Sequence, residues 1–179
     1  MENDTEARRE RIKHLRREEK RIKELRHLMD KASGILQTEA TAIDVLSIDE
    51  IDQHQILINS ADFEFNYLNL SYPTTEAGKL QSLLISFADI CNSKGKITLS
   101  NTADIFVFKS EAEKFARYFE GLITLGGDTI SFCDDEYKNG LMIDMFREYW
   151  YLDDKLQYLW IYELRVFGKE WIKTIVNYA

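Results

Sequence analysis

The chain has 179 residues, 45% apolar and 30% charged, with a net charge of −8, the composition of one ordinary globular domain plus an appendage. No apolar run approaches the ~20 residues needed to cross a bilayer, and the charged N-terminus lacks the apolar stretch of a secretion signal, which favours a cytoplasmic location. Cys91 and Cys133 are too few for a disulfide framework or a Cys-rich zinc site and are expected as small buried apolar residues.

Charge is unevenly distributed. Residues 1–33 contain 11 Lys/Arg and 8 Asp/Glu, a balance of +3, so the rest carries −11. The organisation expected is a basic amphipathic, coiled-coil-like helix over 1–36 and an acidic globular domain over 37–179. Such a split speaks to partners more than to fold.

The first segment has strong helix formers and no Gly or Pro before Gly34, which is expected to end the helix. Leu15, Ile22, Leu25, Met29, Ala32 and Leu36 follow a short a/d heptad pattern, a seam for a second copy or for the chain's own body. Arg9, Lys13, Arg16, Lys20 and Lys23 form a basic stripe away from that seam. The stripe fits a solvated face or contact with an acidic protein. Nucleic acid is disfavoured, because Glu10, Glu18, Glu19 and Glu24 dilute the field and no aromatic is interleaved for stacking.

"SIDEIDQHQ" gathers Asp49, Glu50, Asp52 and His54, but without a metal-ligand spacing. It reads as a turn or short surface helix. Residues 55–59 and 63–70 alternate as strands around an Asn59–Asp62 turn, closed by Pro73. Thr75 caps a helix over 76–92 with Leu80, Leu83, Leu84 and Phe87 on one face. Strands follow at 96–100 and 104–109, the second apolar on both faces. Ser110 and Glu113 form a capping box for a helix to about Leu125, and 128–132 is a fifth strand.

"CDDEYKNG" places Asp134, Asp135 and Glu136 on a solvated turn. Beyond it, aromatic residues at three- and four-residue steps predict a helix through Trp150, then a long helix from about Asp153, bent at Gly168. Tyr151, Tyr158 and Tyr162 lie off its buried face and suit a protein interface.

The fold class expected is α+β: a mainly antiparallel sheet of about five strands packed with helices, preceded by a long charged N-terminal helix. The sequence contains no P-loop, GxGxxG, HExxH or GxSxG pattern, and no cofactor, metal or catalytic residue is assigned. The function expected is a non-enzymatic protein-binding module, such as a stoichiometric inhibitor or immunity-type neutraliser of a basic partner, for example a nuclease toxin. Asp134, Asp135, Glu136, Asp153 and Asp154 would steer the encounter, and Tyr151, Tyr158 and Tyr162 would anchor it. The alternatives are an adaptor or structural protein dimerising through the N-terminal helix, and a nucleic-acid binder using the basic stripe. A carboxylate-dependent hydrolase leaves little local signature and stays open.

Overall fold

A computed structural model describes residues 2–60, 67–152 and 155–178. Among the described residues, five α-helices accompany a six-stranded, wholly antiparallel sheet, so the α+β class holds. In chain order the elements are α1 (Glu2–Leu36), α2 (Ile48–Ser60), β1 (Tyr67–Pro73), α3 (Ala77–Cys91), β2 (Lys94–Leu99), β3 (Val107–Glu111), α4 (Ala112–Gly126), β4 (Thr129–Asp134), β5 (Gly140–Leu152), β6 (Lys155–Phe167) and α5 (Lys169–Val176). The spatial order is β1-β6-β5-β4-β2-β3.

One face of the sheet carries the core. Ile97, Leu99, Phe108, Ile130, Phe132, Leu141, Ile143, Leu164 and Val166 are buried there with apolar residues of α1, α3, α4 and α5. The opposite face is partly covered by α2, whose Ile51 packs with Leu46 and Val107. Over the other strands it bears polar groups: Thr129 donates to Asp144 (2.6 Å), Arg165 pairs with Asp144 and Glu163, and Asn69 donates to Glu163 (2.8 Å). The β3 edge is closed by residues 44–46, where Leu46 N–H donates to Val107 O and Lys109 N–H to Asp44 O, which removes one template for unwanted pairing.

Several expected elements are corrected. Residues 55–59 are helical, within α2. Ser47 and Glu50 make a true capping box: Ser47 N–H donates to Glu50 Oε2 (2.7 Å) and Glu50 N–H to Ser47 Oγ (3.3 Å), which satisfies otherwise orphaned amides and starts the helix. At α4 the expected box is absent: Glu111 is the N-cap residue, without a side-chain cap bond. Thr75 sits in a 3₁₀ turn, and α3 likewise has no side-chain cap. Gly34 lies inside α1, and Gln37 (φ 50°) follows its end. The Asn59–Asp62 turn and the run from Phe63 fall largely outside the described residues.

The largest correction is at the C-terminus. Gly140–Leu152 and Lys155–Phe167 are two thirteen-residue strands, not helices, paired from Gly140↔Phe167 to Leu152↔Lys155. Their Tyr, Trp, Phe, Ile and Val content favours strands. Only the last part is helical, α5, burying Trp171 and Ile175. Gly168 does not bend a helix; it separates β6 from α5. Its φ of 87° favours glycine, and a Cβ there would lie 2.2 Å from Asn139 Oδ1 and 2.4 Å from Lys138 O, far inside van der Waals contact.

Candidate functional site

The residues expected on an acidic, aromatic surface are separated by the fold. Asp134 accepts from Lys138 N–H (3.0 Å) and Asn139 Nδ2 (2.8 Å), Asp135 accepts from Lys96 Nζ (2.7 Å), and Glu136 pairs with Lys138. Each carboxylate has its own neighbour, and the three do not converge. The Asp49–His54 group also disperses: Glu50 caps α2, Asp52 accepts from Arg17, Asp49 lies 3.6 Å from His14, and His54 turns inward. Among the described residues no three of His, Cys, Asp and Glu gather as a metal-holding group.

His54 is 1% exposed. Its Nε2 lies 2.9 Å from Thr98 Oγ1 and its Nδ1 3.1 Å from the Tyr137 hydroxyl. This ties α2 to β2 and to the β4–β5 turn, where Tyr137 takes a left-handed φ of 57°. Lys96 Nζ stands 4.5 Å from the centre of the Tyr137 ring. Burial, followed by the Lys96 charge, pushes the His54 pKa down to about 4. Burial pushes the thiols of Cys91 and Cys133 up to about 11 and about 12, unlike the lowered values of reactive cysteines. Cys133 is buried as expected, whereas Cys91 is half-buried.

The basic helix is held largely by its own chain. Arg17 donates to Asp104 O from Nε (3.1 Å) and Nη2 (2.9 Å) and to Asp52 from Nη1 (2.6 Å). Lys20 pairs with Asp104 (3.1 Å), and Arg21 donates to Ile105 O (3.2 Å). Of the stripe, Lys13 and Lys23 pair within the helix with Glu10 and Glu19, while Arg9 and Arg16 are exposed. Of the seam, Leu25, Met29, Ala32 and Leu36 pack into the core beside Leu28 and Ile35. Leu15 (54%) and Ile22 (82%) remain exposed. Toward its C-terminal end α1 passes close to α4: a Cβ on Gly121 would lie 2.8 Å from Ile35 Cγ2. Arg17→Ala is expected to cost about 1–2 kcal/mol, since it removes charged hydrogen bonds to a half-exposed loop. Hydrogen exchange should rise in the first half of α1 and not over residues 28–36. Equal protection in both proteins would refute this anchoring.

The remaining feature is a projection. β4 pairs with β5 no farther than Asp144, and β1 pairs with β6 no farther than Ile161. Beyond Phe146↔Ile161, β5 and β6 continue as a two-stranded ribbon to Leu152↔Lys155, with no third strand among the described residues. Phe146, Tyr149, Trp150, Tyr151, Leu152, Leu156 and Tyr158 are all exposed on it, Tyr151 at 76%. The register puts Tyr149, Tyr151, Leu156, Tyr158 and Trp160 on one face and Phe146, Trp150, Leu152 and Leu159 on the other. Arg147 lies over the rings of Trp160 (4.5 Å) and Tyr158 (5.2 Å). Tyr151 and Tyr158 are thus brought together and exposed as expected. Tyr162 is not: it is 6% exposed, edge-on to Phe119 at 5.4 Å, with its hydroxyl 3.4 Å from Glu120. The reason is that it lies farther down β6, where α4 covers the sheet. Asp153 and Asp154 lie outside the described residues. Sequence reasoning missed Tyr149, Trp150, Leu152 and Leu156 as a surface; two adjacent aromatic runs separated only by Asp153-Asp154 were the available signal.

No protein-family model, curated protein or solved structure matches this chain.

Proposed function

We propose that the protein is a non-enzymatic protein-binding module whose contact element is the β5–β6 ribbon. The observation that carries this reading is seven large apolar side chains, each more than 40% exposed, on one ribbon clear of its sheet. A free two-stranded ribbon is marginal by itself, and Tyr- and Trp-rich surfaces favour burial by a partner. Inhibition or neutralisation of a basic protein is one role such a module can fill. Because Asp134, Asp135 and Glu136 are engaged within the chain, contact in that role too would fall to the ribbon. For catalysis, the inward His54 and the raised thiol pKa values offer no activated nucleophile.

Photocrosslinking tests the reading. A photoreactive phenylalanine at position 151 in cells should trap a protein, a further copy of the chain included. The same group at exposed Lys79, on α3, should not. Equal yields at both positions would refute the reading.

A further inference from the structure

Among the described residues both strand edges of the ribbon are unpaired, and they differ. On β6 the free stretch carries Lys155 and Gln157 and meets Pro73 at the end of β1. On β5 it runs from Phe146 to Leu152 with two charged residues, Arg147 and Glu148. Lysines, prolines and outward charges normally blunt such edges. Arg147 is drawn over the β6 rings, away from the β5 edge, so Glu148 is left as that edge's charged guard.

We infer that the ribbon's occupant is a second copy of this chain, joined antiparallel along β5 about a two-fold axis at Tyr149, so that two ribbons form one four-stranded sheet. This rests on the protein-binding reading and names its partner. The β5 sequence is self-complementary in that register. Phe146 meets Leu152 of the second copy, Arg147 meets Tyr151, Glu148 meets Trp150, and Tyr149 meets itself. Opposed residues share a face, no like charges are opposed, and aromatic pairs of this kind stabilise neighbouring strands. The seam runs over the seven residues from Phe146 to Leu152, five of them large and apolar, while Leu156 and Tyr158, on β6, stay outside it. A two-fold contact also closes on itself, so pairing ends at a dimer and does not run on to fibres.

Sedimentation equilibrium of the full chain over a concentration series should give a mass rising to twice 21.0 kDa. Trp150→Glu sets like charges across the axis and should return the monomer. Adding Glu148→Lys should restore the dimer, and Tyr149→Cys should give a disulfide-linked dimer with diamide, where Leu152→Cys does not. Near-ultraviolet circular dichroism identifies any variant that loses its core, and the Tyr149→Cys pair decides in that event. A wild-type monomer throughout, a dimeric Trp150→Glu, or equal cross-linking at positions 149 and 152 would overturn the proposal. A wild-type monomer whose position 151 still traps another protein in cells would sink the second copy and keep the binding reading. A monomer that traps nothing would sink both.

Discussion

Phe132→Ala is expected to destabilise the protein by about 3–5 kcal/mol, the range for deleting a buried phenylalanine. Phe132 is fully buried on β4. It stacks on Trp171 of α5 at 5.9 Å and 9° and lies 5.4 Å from Phe115 of α4. A Cβ on Gly95 would stand 2.8 Å from its ring, so β2 also closes around it. One side chain therefore joins two strands to two helices, and its removal leaves a cavity among close-packed buried neighbours. At ~2–4 °C per kcal/mol for a chain of this size, the midpoint should fall by roughly 10 °C. Tyr151→Ala, on the ribbon, removes a ring that is mostly in water and should leave the monomer's midpoint nearly unchanged. A drop below ~1 kcal/mol for Phe132→Ala would show that the core is not organised around this ring.

The second expectation is a loss of about 3 kcal/mol of stability on acidification, traceable to His54. The folded imidazole titrates at about 4 against an ordinary value of 6.5. Between those values the unfolded chain takes up a proton that the folded chain refuses. The contribution is therefore complete above pH 6.5, declines as pH falls, and is gone below pH 4. Thr98, Tyr137 and Lys96 face the ring, and Asp135 reaches it only through Lys96. Carboxylates add their own acid dependence, so the comparison is with His54→Gln, which cannot titrate. Urea unfolding at a series of pH values should show the two proteins converging by about 3 kcal/mol between pH 6.5 and 4. Parallel curves would mean that the ring is not held neutral by the fold.

Legibility varied along the chain for physical reasons. Helices α1, α3 and α4 follow from a three-to-four-residue apolar period with one buried face. Strands β2 to β4 follow from short apolar runs bounded by turns. The β5–β6 pair failed because its outer half is apolar on both faces. Without alternation, a strand displays no period of two, and Leu156, Leu159 and Trp160 then imitate a helix face. The residues bounding the pair, Gly140 and Gly168, were the better guide, since each marks a change of element. Residues 55–59 were misread because an apolar run of that length suits either state. The Ser47–Glu50 spacing decides between them. The seam of α1 was partly legible: its last four positions pack against the core, Ala32 and Leu36 buried and Leu25 and Met29 partly buried, but heptad spacing does not tell a partner helix from the chain's own body. The tyrosine surface was legible in residue type and only partly in position, because exposure depends on where neighbouring strands stop.

The separation of paired strands has a consequence for the order of assembly. β5 and β6 close across two intervening residues, and such hairpins form in about 1–10 μs. β1 must instead meet β6 in the register Tyr67↔Phe167, across most of the polypeptide, and non-local closure of that kind slows folding. During synthesis β1 waits for a neighbour that leaves the ribosome late. The hairpin is then the template on which the sheet's far edge is completed, so the aromatic ribbon takes shape before β1 is seated.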